Sequence, residues 1–246
     1  MYKAMINRME ENSLDVVYCT CYRFFNDDLS IKDARYIREI FCENKEEIYQ
    51  KMIPRLISGT DGNYEVTGAM WGAVYRTDII RINNIYVEPI KAVYSEDNFF
   101  NIQYLMYAER AESINVPLYC YRNNGQSITS EIKEYTIPSL MQFKKRVVKL
   151  LSNTKIPSAD IEALADIRII VAYSVVLKKI IDANSYNAFV DYIKTDQKRY
   201  DINLHYTREN LSKVSFQVKL FWVLMRAKYY MPLYVLVKIY SKFILK

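Results

Sequence analysis

Apolar positions recur along this chain with two different periods, and the change from one to the other marks out its elements. YKAMINRMEEN sets apolar residues at helical spacing among Lys3, Arg8, Glu10 and Glu11, which predicts an amphipathic helix. SLDVVYCTCYRFF follows, dense in β-branched and aromatic residues, and reads as a buried strand closed by an Asn26-Asp27-Asp28 turn. A helix is predicted from about Lys45 to Ile57, then a loop from Ser58 to Asn63. GAMWGAVYRTDIIRINNI begins as a short strand and continues as a helix. In SEDNFFNIQYLMYAERA, Phe99, Ile102, Leu105 and Met106 recur at helical spacing. Ser95 fits there as an N-cap, and Glu96 and Asp97 complement the dipole of the first turn. INVPLYCYRNN is the next strand, with Pro117 suggesting an edge or a strand start. From about Tyr135 the pattern is helical only, clearest in LMQFKKRVVKLL, ADIEALADIRIIVAYSVVLKKII and NAFVDYIK. The expected fold is a helix-rich α/β arrangement, mixed over residues 1–132 and all-helical over 133–246.

Composition narrows the classes. With 51% apolar and 25% charged residues the chain can build a core, and it is neither disordered nor polytopic in a membrane. Only 5 glycines and 6 prolines are present, and no glycine-rich phosphate loop. Tyrosine is abundant, 23 residues, which suits half-wet grooves and interfaces and equally a genome biased toward Ile, Asn, Lys and Tyr codons. The one histidine, His205, lies in the polar stretch DINLHYTREN and reads as a surface residue, so histidine-based metal or triad chemistry is excluded. Cys19, Cys21, Cys42 and Cys120 show no zinc spacing. On a strand Cys19 and Cys21 would share one face, and all four are expected to be reduced and buried.

Charge is unevenly placed. The net charge is +6, yet no acidic residue follows Glu209. Lys213, Lys219, Arg226, Lys228, Lys238, Lys242 and Lys246 make the tail, about 211–246, basic. Its longest uncharged run, Tyr229 to Val237, is too short to span a bilayer. Trp222, Tyr229, Tyr230, Tyr234 and Tyr240 add interfacial rings, and Pro232 should split the tail into two helices. The tail is expected either to lie on an anionic membrane surface or to pack on the body with a solvated basic face. No nucleic-acid-binding motif is present.

Three segments carry candidate chemistry: Trp71-Gly72-Ala73-Val74-Tyr75-Arg76, then Ser95-Glu96-Asp97-Asn98-Phe99-Phe100, then Pro117-Leu118-Tyr119-Cys120-Tyr121-Arg122 leading into Gln126-Ser127-Ile128-Thr129. In this order the set resembles the C-terminal half of bacterial family 2 glycosyltransferases, which have the GT-A fold. The resemblance covers about residues 1–132 and implies an inverting enzyme of surface polysaccharide synthesis, using a nucleotide-sugar donor and a glycan or lipid-linked acceptor. It implies that Asp97 is the base taking the acceptor proton and that Glu96 orients the acceptor or the loop. Trp71 would stack on a sugar, or else be a core aromatic. Tyr75 and Arg76 would anchor the floor of the acceptor groove. Tyr121 and Arg122 would border the acceptor or the diphosphate, or else pack on the strand with an exposed cation.

The family's nucleotide-binding half ends in a D-x-D motif that holds Mg²⁺ or Mn²⁺. That motif should lie just before the first helix, Met1 begins at that helix, and no D-x-D stands at a strand end here. The resemblance thus implies an acceptor-side half from a truncated or split enzyme or a mis-set start. Such a half would expose a sheet edge, need a separate donor-binding half, and be inactive alone. No secretory leader opens the chain, which implies a cytoplasmic protein peripheral to the inner face of the membrane. The competing reading is a non-catalytic peripheral membrane or scaffold protein.

Overall fold

The computed structural model describes residues 1–25, 33–60, 68–123, 133–183, 185–200 and 215–244. His205, the Asn26-Asp27-Asp28 turn and the Ser127 loop lie outside them. Helix α1 (Tyr2–Glu11) leads into strand β1 (Val16–Phe25), followed by the short strands β2 (Asp33–Ala34) and β3 (Ile40–Cys42). Next come α2 (Lys45–Glu47), a π-helical segment Ile48–Met52 and α3 (Ile53–Ser58). Pro54 at the start of α3 has no N–H to give, and the wider π segment precedes it. A 3₁₀ turn Met70–Gly72 opens β4 (Ala73–Tyr75), then α4 (Thr77–Ile82), α5 (Glu96–Leu105) and β5 (Ala111–Asn123). The remainder is helical: α6 (Thr136–Leu151), α7 (Ser158–Ala183), α8 (Tyr186–Tyr200), α9 (Phe216–Arg226) and α10 (Tyr230–Ile244). The helix-rich α/β class expected from the sequence is the class observed.

The sheet is mixed, in the order β2-β1-β5-β3, with β4 also on β1. β1 and β5 run parallel over their whole length, pairing Val16 with Ala111 and Phe25 with Asn123. On the other edge of β1, β4 pairs antiparallel with residues 16–18 and β2 with Tyr22 and Arg23. Both edges of β1 are therefore taken. β3 covers only Ala111 to Ser113 of β5. Pro117 stands inside β5, at a register irregularity opposite Thr20, rather than at a strand start.

β1 is buried on both faces, which is why it reads as an unbroken apolar run. Val17 and Cys19 pack with Met5 and Met9 of α1, one turn apart on that helix. Val16 and Tyr18 face the opposite side and enter the main core with α3 and α5. The same cluster takes in Phe143, Val147 and Leu151 of α6 and Ile161, Leu164 and Ala165 of α7. One core thus crosses the division near residue 132. A second core joins the later half of α7 to α8, α9 and α10 through Tyr173, Leu177, Phe189, Trp222 and Leu233.

Three local expectations are corrected. The break between the tail helices falls at Ala227–Tyr229, where Lys228 has φ 59, and Pro232 sits harmlessly in the first turn of α10. Ser95 does precede α5 but caps nothing with its side chain. Cys120 is exposed, because it lies on the half-covered end of β5, while Cys19, Cys21 and Cys42 are buried.

Candidate functional site

Asp97 lies in the first turn of α5 beside the 3₁₀ turn, and its carboxylate accepts the Met70 N–H. The helix N-terminus favours the ionised form, but burial opposes it more strongly. Burial, together with the neighbouring charge of Glu96, pushes the Asp97 carboxyl up to about 6 despite the Met70 bond. A carboxylate near that value can take a proton at neutral pH.

Asn101, one turn later and fully buried, fixes this corner. Its Oδ1 accepts from Tyr18 Oη at 2.7 Å and Tyr75 Oη at 2.8 Å. Its Nδ2 donates to the carbonyls of Gly68 and Asp97, both at 2.9 Å. Two hydroxyl donors on one side and two carbonyls on the other define the orientation of the carboxamide. Four separate pieces, β1, β4, the segment before the 3₁₀ turn and the first turn of α5, meet on this one side chain.

From below, Arg168 of α7 does a similar job. Its guanidinium is buried, which lowers it to about 10. It donates to the carbonyls of Ile57 at 2.7 Å and Leu56 at 2.5 Å, and to Ser95 Oγ at 2.8 Å, with its charge 4.7 Å from the Phe143 ring centre. It therefore satisfies the end of α3 and grips the residue before Glu96, whose backbone is left-handed at φ 57. Gly59, also left-handed at φ 69, lets the guanidinium approach: a Cβ there would lie 2.9 Å from Nη2.

Trp71 is half-buried and stacks on Tyr119, ring centres 4.5 Å apart, with Tyr121 at 5.4 Å. Arg23 lies over Tyr121 at 5.7 Å. Together they form an aromatic shelf across the later halves of β1 and β5, and the Met70–Asp97 contact brings the carboxylate to its border. The structure thus gathers Asp97, Glu96, Trp71 and Tyr121 at one corner. Tyr75 lies beneath them, its ring edge-on to Phe100, Tyr104 and Tyr18 and its hydroxyl on Asn101. Arg76 points to the start of β1, donating to the Leu14 carbonyl at 3.2 Å, with Asp15 at 3.6 Å. Arg122 is exposed and lies over Phe24 at 5.7 Å, displaced from Tyr121 by strand alternation. Arg76 and Arg122 are not brought to the Asp97 corner.

Asn101 and Arg168 were not singled out by the sequence patterns, and Tyr119 stood in a quoted segment without a role of its own. A signal existed for both unflagged residues: Asn101 is a polar residue four positions after Asp97 on an otherwise apolar face, and Arg168 interrupts a long apolar helix. Among the described residues no three His, Cys, Asp or Glu side chains are grouped so as to hold a metal ion.

No family model matches the chain. Over 130 residues it is 26% identical to the uncharacterized glycosyltransferase EpsJ of Bacillus subtilis (strain 168), covering 52% of this chain and 35% of EpsJ. The chain thus spans about a third of the length of that relative. Crystal structures of S. aureus TarS 1–349, alone and in complex with UDP-GlcNAc, align with TM-scores of 0.46 and 0.49 at 14% and 13% identity. They cover 98% of this chain and 62% and 63% of theirs. By the EpsJ match, the chain is a distant relative of a glycosyltransferase.

Proposed function

We propose that the chain supplies the acceptor side of an inverting glycosyltransferase that moves a sugar from a nucleotide-sugar donor to a glycan or lipid-linked acceptor of a surface polysaccharide. One juxtaposition carries the reading: a half-buried carboxylate, Asp97, fixed beside the Trp71–Tyr119–Tyr121 shelf. The relationship to EpsJ supports it.

In the reaction, an acceptor hydroxyl lying on the shelf attacks the anomeric carbon of the donor. A new C–O bond forms as the bond to the nucleotide diphosphate breaks. Asp97 takes the hydroxyl proton, and the diphosphate leaves with the electron pair. The aromatic rings of the shelf bind the sugar's C–H surface. Glu96 keeps Asp97 basic through its charge, and its role is to orient the acceptor or the loop. Tyr75, Asn101 and Arg168 position the corner. No step is assigned to a metal ion, and no described residue is assigned to the nucleotide.

The test is complementation of a strain lacking the gene, with polysaccharide and the lipid-linked intermediate quantified. The wild-type chain should restore both. Asp97→Asn should lower synthesis at least a hundredfold at equal protein level and a melting temperature no lower than wild type. Wild-type synthesis with Asp97→Asn would refute the base assignment and favour a scaffold.

A further inference from the structure

We infer that the α9–α10 hairpin is a docking face for an anionic phospholipid bilayer. The two helices are closed by a tight turn, in which Ala227, Lys228 and Tyr229 donate to the carbonyls of Val223, Met225 and Leu224. Their inner faces, with Phe221, Trp222, Met225, Leu233 and Val237, are buried on α7 and α8. The outer faces are not polar, as a solvated helix would be. Phe216 is 73% exposed and Val223 53%, and Met231, Val235 and Ile239 are each about half exposed. On α10 the last three fall four residues apart and form one stripe. Tyr229, 62% exposed, sits at the turn between the helices.

The charge around these residues selects the occupant. Arg226, Lys228 and Lys238 are exposed beside them, and the sequence holds no acidic residue after Glu209. A second copy docking by the same face would set cations against cations, which a symmetric interface cannot relieve. Nucleic acid would satisfy the charge but leave Phe216, Val235 and Ile239 against phosphate and water. A bilayer with anionic headgroups satisfies both: side chains of this size enter the acyl boundary while the cations stay at headgroup level. Among the described residues no helix is long and apolar enough to cross a membrane, so the hairpin lies on the surface. The inference does not depend on glycosyl transfer, and its test uses no substrate.

The test is co-sedimentation of the full chain with vesicles of phosphatidylcholine alone or with about a third phosphatidylglycerol, over a range of salt. Binding should require phosphatidylglycerol and weaken as salt rises. Replacing Arg226, Lys228 and Lys238 together by Gln should lower partitioning about a hundredfold, taking the ~1 kcal/mol that each cation contributes near such a surface. Val235→Glu with Ile239→Glu should abolish binding at unchanged helicity by circular dichroism. Equal binding to neutral vesicles, no binding to either, or salt-sensitive capture by DNA as strong as by vesicles would overturn the inference. So would a dimer, seen by light scattering, that the two Glu substitutions dissolve. Because the wild-type salt and lipid dependence is measured first, a misfolded variant does not decide the outcome.

Discussion

Asn101→Leu is the sharpest probe of how the site corner is built. Leu is close in size and a better helix former, so packing and propensity barely change. What changes is polar satisfaction. Tyr18 and Tyr75 each donate to Asn101 Oδ1, and the Gly68 carbonyl accepts from Nδ2. A buried group left without its partner costs about 1–3 kcal/mol. Tyr18 is 2% exposed and stands at the upper end of that range. Three orphaned groups, less the small gain from burying Leu, give a loss of about 4 kcal/mol. Against a domain stability of roughly 5–15 kcal/mol that is a large fraction. The measurement is equilibrium unfolding in urea, followed by tryptophan fluorescence: Trp71 reports the site corner and Trp222 the second core. The decisive arm adds Tyr18→Phe and Tyr75→Phe to Asn101→Leu. With both donors removed, only the Gly68 carbonyl remains orphaned, and the loss should shrink to about 1–2 kcal/mol. A single substitution within 1 kcal/mol of wild type, or a triple no more stable than the single, would refute the hub.

Arg168→Ala strips the donors from the carbonyls of Leu56 and Ile57 and should lower stability by about 3 kcal/mol in the same assay, with Arg168→Lys intermediate; equal stability of all three would show that the contacts are idle. Asp97 titrates near 6 folded and near 4 unfolded, so the folded state holds the extra proton and stability falls as pH rises between those values. Asp97→Asn should flatten that slope, leaving the variant more stable at pH 7 by roughly 1 kcal/mol after allowing for partial solvation; an unchanged slope in thermal melts from pH 4 to 7 would disprove it. Of the four thiols only Cys120 is exposed, and burial raises Cys19 and Cys42, the latter to about 11. Ellman's reagent should therefore titrate one thiol quickly in the native protein and four in urea, and Cys120→Ser should remove the fast one.

Much of the fold was legible because local pattern and tertiary environment agree. β1 reads as a strand because alternate residues enter two different apolar layers, and α1, α6 and α7 carry their buried faces at helical spacing. The strands β2 and β3 were not legible. At two and three residues they have no period, and they exist through pairing with Tyr22 and with Ala111 to Ser113. The helix start at Ser95 was readable but its support was not, since its side chain is held by Arg168, 73 residues away in sequence. Of the site, Glu96 and Asp97 could be named from the motif. The stacking of Trp71 on Tyr119, and the turning away of Arg76 and Arg122, depend on strand register that no short motif encodes.

α7 belongs to both cores: its buried apolar residues from Ile161 to Ile167 enter one and those from Ile169 onward the other, with Arg168 between them. Adding or deleting one residue there would turn everything beyond it by about 100° and shift it by about 1.5 Å. Either the site-bearing core or the hairpin-bearing core would then lose its match. Length changes that surface loops absorb should be forbidden in this helix, and the separation between the Asp97 corner and the α9–α10 face is fixed like the spacing of marks on a rule.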